Sequence, residues 1–296
     1  ACVNADVTLE FTGSAGSNAT YNWSLDGATI GSGSGAGPMT ISWNSLGNKQ
    51  VILQVLEQGC SSNEASDIIL VRGLPLADAG NNQQLCSGDT ISLHANSGSG
   101  YSFKWLPSGG LNSDTIANPT LTLQAIHSYV EQLTYTVEVN DGYCTAQSSV
   151  DVALAPVPEA SFIVPAPQCF EGNSFNFINN GAYSEGASFS WNFGPHTYIH
   201  SPGDESQMNV QYDVIGTHAV SLVISQFGCT SEPFIDSVQV NPHPEATYTA
   251  VGVKGCVPLE SSFNAVPQGN EQLTYSWNFG DGETKSTQSL THTYDP

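Results

Sequence analysis

Apolar side chains along this chain fall in short runs that alternate with Ser, Thr and Asn, with Gly or Pro breaking the pattern about every 8–12 residues. Three runs alternate strictly: Val51, Leu53, Val55; then Leu133, Tyr135, Val137, Val139; then Val220, Leu222, Ile224. Side chains two apart share one face of a strand, so each set can line one face of a core. Between residues 157 and 242 the pattern predicts strands near 160–165, 173–178, 186–193, 207–212, 217–225 and 233–240. Short strands at this spacing, separated by turn residues, predict an all-β protein built of sandwiches.

The runs belong to a larger period. Seven cysteines stand at positions 2, 60, 86, 144, 169, 229 and 256, and a tryptophan follows the first, third, fifth and seventh by 21, 19, 22 and 21 residues. Those tryptophans, Trp23, Trp105, Trp191 and Trp277, mark four copies of one unit and are expected in its core; Trp43 is an extra core candidate. Pro156-Val157-Pro158-Glu159-Ala160 returns 86 residues later as Pro242-His243-Pro244-Glu245-Ala246. Proline-bearing joints place the repeats at 1–74, 75–156, 157–242 and 243–296, the first and last reading as incomplete. The joints are too short and stiff for floppy tethers, so end-to-end stacking into a rod is expected.

Taken in order, the cysteines are separated by 58, 58 and 60 residues. Spacing leaves connectivity open, and one bridge per repeat is the simplest scheme: Cys2–Cys60, Cys86–Cys144 and Cys169–Cys229, with the partner of Cys256 expected beyond Pro296. Disulfides in every repeat imply an oxidising, extracellular setting. No C-x-x-C arrangement supports a metal site.

Charge narrows the functions. Asp and Glu number 27 against 5 Lys and Arg, a formal net charge of −22. The cations are scattered singly, so nothing can neutralise several phosphates at once, and neither nucleic acid nor an anionic membrane is an expected partner. No apolar run approaches the ~18 residues of a membrane span.

Trp277-Asn278-Phe279-Gly280-Asp281-Gly282, followed by Thr291-His292-Thr293-Tyr294, resembles the signature of polycystic-kidney-disease (PKD) domains, and Trp191-Asn192-Phe193-Gly194 keeps part of it. The second repeat, with Tyr101-Ser102-Phe103-Lys104-Trp105-Leu106-Pro107 and Ile116-Ala117-Asn118-Pro119, resembles PKD-like repeats of very large Bacteroidota surface proteins, including gliding-motility adhesins exported by type IX secretion. The resemblance implies a tandem array of immunoglobulin-like sandwiches on a cell surface.

Candidate chemistry is sparse. His196 and His200 are close in sequence, but a zinc pair at that spacing belongs on a helix, and this segment reads as a proline-flanked loop. Some PKD domains bind calcium, which makes Asp281, Glu283, Asp204 and Glu205 weak calcium candidates; neither stretch has the dense ligand alternation of a calcium loop, and Asp281-Gly282 is explained by a turn. Asp-Ser/Thr-aliphatic tripeptides mark Thr90, Thr115 and Ser237 as possible O-glycosylation positions. No G-x-S-x-G elbow is present, and neither a catalytic residue nor a cofactor is expected. The expected role is structural or adhesive, toward surface glycans or proteins or neighbouring copies in a filament. Two other readings stay open: a spacer array in a secreted hydrolase, and a filament subunit joined by strand exchange.

Overall fold

The computed structural model describes residues 1–200, 205–267 and 273–296. The described residues contain no helix; they form a tandem array of immunoglobulin-like β-sandwiches. The chain divides into two compact units. One holds Ala1–Pro158 with Tyr183–Ala187 and Ser225–Ser231; the other holds Glu159–Ala182, Ser188–Ile224 and Glu232–Pro296.

The third repeat carries the plan most completely. One sheet orders Phe162–Ile163, Phe175–Asn179, Gln207–Tyr212 and Thr197–Ile199 side by side, and the other orders Gln168–Cys169, Phe234–Asn241, Gly216–Gln226 and Ser188–Asn192. The six strands expected here all form within one or two residues of the expected bounds, and three short ones, Gln168–Cys169, Thr197–Ile199 and Cys229–Thr230, join them. Thr197–Ile199 replaces the loop expected between His196 and His200, because it pairs with Gln207–Tyr212. Gln168–Cys169 runs parallel to the closing strand, with Gln168 opposite Val240 and Cys169 opposite Asn241.

That parallel edge recurs. Gln83–Cys86 runs parallel to the closing strand Thr145–Ala155, with Cys86 opposite Ala155, and Cys2 forms a parallel bridge with Arg72. The closing hairpins are built from the alternating runs. Glu131–Asn140 pairs with Thr145–Ala155 along its full length, and its Tyr135, Val137 and Val139 are buried while their neighbours are not. Gly216–Gln226 repeats this with Val220, Leu222 and Ile224 buried.

The cores are modest. In the second repeat Leu85, Leu93, Trp105, Leu121, Val137 and Val152 form the centre, and in the first Met39, Ile41, Trp43, Val51 and Val71 do so. Trp105 is fully buried, whereas Trp23, Trp191 and Trp277 are only half-buried, a correction to the expectation of four equivalent core rings. In the first repeat it is Trp43 that fills the centre, with Trp23 against its side. In the third, Trp191 lies flat on Phe193 at 5.4 Å and tilted against Phe162 at 5.2 Å. All four still share one interaction: the indole N–H donates to a backbone carbonyl 10–14 residues downstream, on Gly35, Ile116, Glu205 and Thr287. A polar tip that finds a partner lets a large ring remain at the sandwich seam.

Replacing the fully buried Trp105 with Ala removes the largest side chain of its core and is expected to cost about 3–5 kcal/mol in urea unfolding. Ile126→Ala, at a side chain 82% exposed, is expected to fall within about 0.5 kcal/mol of the parent chain.

Candidate functional site

The proposed bridge within each repeat does not form. Cys2 bonds Cys144, with Cα atoms 5.7 Å apart, and Cys86 bonds Cys229, also at 5.7 Å. Cys60, Cys169 and Cys256 are unbonded and exposed. The reason lies in the parallel edge strand. In the second repeat Cys86 stands beside Ala155, the last residue of the closing strand, whereas Cys144 immediately precedes Thr145, its first. Eleven residues of extended chain at about 3.3 Å each put the two cysteines roughly 35 Å apart, far beyond the ~7 Å between Cα atoms that a disulfide can span. Cys2 and Cys60 are held apart in the same way, Cys2 beside Arg72 and Cys60 at the start of the hairpin return. Each formed bridge therefore runs from the edge-strand cysteine of one repeat to the hairpin cysteine of the next.

Around the first bridge the chain supplies a polar collar. The Ala1 nitrogen donates to the Leu70 carbonyl at 2.9 Å, Val3 N–H donates to the Arg72 carbonyl at 2.8 Å, and Arg72 N–H donates to the Ala1 carbonyl at 2.9 Å. Arg72 lays its guanidinium over the Tyr143 ring, 3.8 Å from the centroid, a cation–π contact between consecutive repeats. Asp141 Oδ1 accepts from the backbone N–H groups of Cys144 (2.7 Å) and Tyr143 (2.9 Å). Those bonds, Cys144 first and then Tyr143, hold the Asp141 carboxyl below its ordinary value of 3.8, and the Arg72 charge adds to them.

The second bridge sits in a tip of another make. Phe227 and Gly228 both have positive φ, 50° and 76°, the geometry of a two-residue type I′ hairpin turn. Gln84 donates its side-chain amide to the Phe227 carbonyl. A Cβ on Gly228 would come within 2.7 Å of that amide nitrogen, so glycine here serves both the turn and the close approach. Ser184 adds a hydrogen bond from its hydroxyl to the Ser128 carbonyl at 2.8 Å. Cys144 and Cys229 are each only 1% exposed, sealed in these junctions.

The other candidates are dispersed. Asp281 Oδ1 accepts from the Glu283 N–H at 3.1 Å and Oδ2 pairs with His292 Nε2 at 2.6 Å; these contacts, the Glu283 N–H foremost, lower its carboxyl below the usual range. His292 is buried, stacked on Phe279 at 4.2 Å, so this motif forms an internal brace of the fourth repeat. Glu283 is exposed and 3.7 Å from His292 Nδ1. Glu205 is exposed, and Asp204 lies outside the described residues. His196 pairs with Asp213 at 3.3 Å, and no group of three or more His, Cys, Asp and Glu side chains among the described residues is arranged to hold a metal. Thr90, Thr115 and Ser237 are all exposed; Thr90 shares a 2.6 Å hydrogen bond with Thr122 across its strand pair. A cleft of about 680 Å³ in the fourth repeat is lined by Tyr248, Phe263, Leu273, Trp277 and Phe279, beside the short strand Trp277–Asn278.

The sequence model of the PKD domain family matches residues 239–296. Among solved structures the chain is similar to extracellular domains 3–5 of Drosophila OTK, at 11% identity over 82% of this chain and 93% of that one with a TM-score of 0.37. It is similar also to the I-band fragment I67–I69 of titin, at 11% identity over 82% and 94% with a TM-score of 0.41. A third similarity is to Sidekick-1 immunoglobulin domains 1–4, at 12% identity over 81% and 73% with a TM-score of 0.33. A comparison with curated protein sequences finds no match. The family match is confined to residues 239–296; the fold of the described residues is a tandem array of immunoglobulin-like β-sandwiches, joined by disulfides between repeats.

Peptide mapping under non-reducing conditions is expected to recover Cys2–Cys144 and Cys86–Cys229. A Cys86–Cys144 peptide would contradict the junction geometry. The depressed Asp141 carboxyl contributes stability above pH 3.8 that is lost as pH falls through its folded value. Asp141→Ala should therefore lower the urea midpoint at neutral pH, and the difference from the parent chain should shrink at about pH 3.

Proposed function

We propose that the chain is a non-catalytic, force-carrying segment of a long secreted cell-surface protein or extracellular filament, of the gliding-motility adhesin type found in Bacteroidota and exported by type IX secretion. The observation that carries this reading is the pair of disulfides between consecutive repeats. A bridge inside a domain stabilises that domain and leaves its joint free to bend. A bridge across the joint gives each pair of neighbours a second covalent connection, which is what a segment under tension or required to hold its direction needs. The bridges also suit an oxidising, extracellular compartment. A net charge of −22 keeps neighbouring molecules apart until a specific contact overrides it.

Repeat boundaries at 1–74, 75–156, 157–242 and 243–296 belong to this proposal, as do surface glycans, proteins or neighbouring copies as binding partners. Many weak contacts along an array would sum to firm attachment without a deep pocket. The PKD match at residues 239–296 supports the extracellular setting.

Antibodies raised against this chain should label intact, unpermeabilised source cells, and deletion of its coding sequence should reduce attachment to a glycan- or protein-coated surface. Labelling only after permeabilisation would overturn the reading. Attachment unchanged by the deletion, with a hydrolase module found in the same native polypeptide, would make the chain a spacer instead. Force spectroscopy tests the mechanical part. Pulled between residues 2 and 229, the oxidised chain can extend only through the 58-residue stretch from Cys86 to Cys144, about 200 Å. Reduction should raise this to about 800 Å.

A further inference from the structure

The two bridges obey one rule: the edge-strand cysteine of a repeat bonds the hairpin-tip cysteine of its successor. Cys60 is a hairpin-tip cysteine by every structural measure. It pairs in register with Glu57, as Cys229 pairs with Gln226. It follows a turn in which Gln58 and Gly59 have φ of 50° and 81°, matching Phe227 and Gly228 at 50° and 76°. Its surroundings differ in one respect. Cys229 is sealed and its Gly228 lies against Gln84, whereas Cys60 is exposed and no atom lies within 4 Å of a Cβ built on Gly59. Cys169 completes the set from the other side, standing parallel to the closing strand as Cys86 does, yet exposed and unbonded.

We infer that Cys60 is a covalent docking point for a further repeat of this kind, which presents an edge-strand cysteine and caps the hairpin tip as Cys86 and Gln84 cap Cys229 and Phe227. The contact is heterologous, tip to edge, so it propagates in one direction and does not close into a symmetric pair. This inference is separate from the adhesive reading and rests on the cysteine geometry alone. The chemistry is thiol–disulfide exchange. Two protein thiols and one oxidised glutathione give one protein disulfide and two glutathione thiols: the thiolate of one cysteine attacks glutathione disulfide and expels a glutathione thiolate, and the second cysteine then displaces the other from the mixed disulfide. The incoming repeat can come from the same polypeptide or from a second copy, and both present the same thiol.

The test has two arms. In the first, the purified chain is held in a glutathione redox buffer and resolved on non-reducing gels with peptide mapping. Linked species joining Cys60 of one copy to Cys169 or Cys256 of another are expected, and reductant should collapse them to monomer. Cys60→Ser should abolish them while leaving both internal bridges and the thermal midpoint unchanged, since Cys60 is exposed. In the second arm, native protein from its source is alkylated without reduction and mapped. A Cys60 peptide bonded to a cysteine peptide foreign to this sequence assigns the docking to another repeat of the polypeptide; a Cys60–Cys169 or Cys60–Cys256 peptide assigns it to a second copy. Symmetric Cys60–Cys60 pairs, or Cys60 alkylated as a free thiol in native material, would overturn the proposal.

Discussion

The parallel pairing of a short edge strand with the closing strand governs how this molecule is held together. An edge strand that ran antiparallel or stopped early could bring its cysteine toward the closing hairpin. Here Cys86 lies opposite Ala155, at the far end of an eleven-residue strand from Cys144, and no side-chain movement closes that distance. The cysteine at the foot of one repeat can reach only what lies beyond that foot. What lies there is the hairpin tip of the following repeat, so the backbone register of each sandwich sets the covalent pattern of the array.

This arrangement matters energetically because each core is modest. The first repeat buries five large apolar side chains at its centre, and three of the four repeat-marking tryptophans remain half-buried at the seam. In the loop-entropy picture a bridge that closes a loop of 142 or 143 residues contributes roughly 5 kcal/mol against the unfolded chain. The two loops overlap between residues 86 and 144, so their contributions do not simply add.

The first junction uses one of the chain's five scattered cations. Arg72 is the single arginine, and it is spent on the face of Tyr143, beside the depressed Asp141 carboxylate. The second junction does without charge, using Gln84 against the Phe227 carbonyl and a glycine that admits the close approach. Two solutions to one docking problem show that the bridge and the hairpin tip are the recurring parts, while the surrounding side chains vary.

Much of this was legible in the residues. Period-two alternation in the runs ending at Val55, Val139 and Ile224 specifies strands with one buried face, and strands alone can use that pattern. The regular return of Cys and Trp specifies repetition, and the third-repeat strands follow from turn residues at their ends. Connectivity was not legible, because the separations of 142 and 143 residues between bonded cysteines are as regular as those of 58 and 60 within a repeat. Spacing cannot report the direction in which a strand pairs. A two-residue stretch such as Gln168–Cys169 carries no periodicity of its own, and its parallel register depends on hydrogen bonds to residues some seventy positions away. The contacts of Arg72 and Gln84 were hidden for the same reason, since each acquires its partner only when one repeat meets the next, whereas Asp141 caps the turn of its own hairpin. Periodicity along the chain determined what each repeat is; the tertiary pairing of an edge strand decided how the repeats are joined.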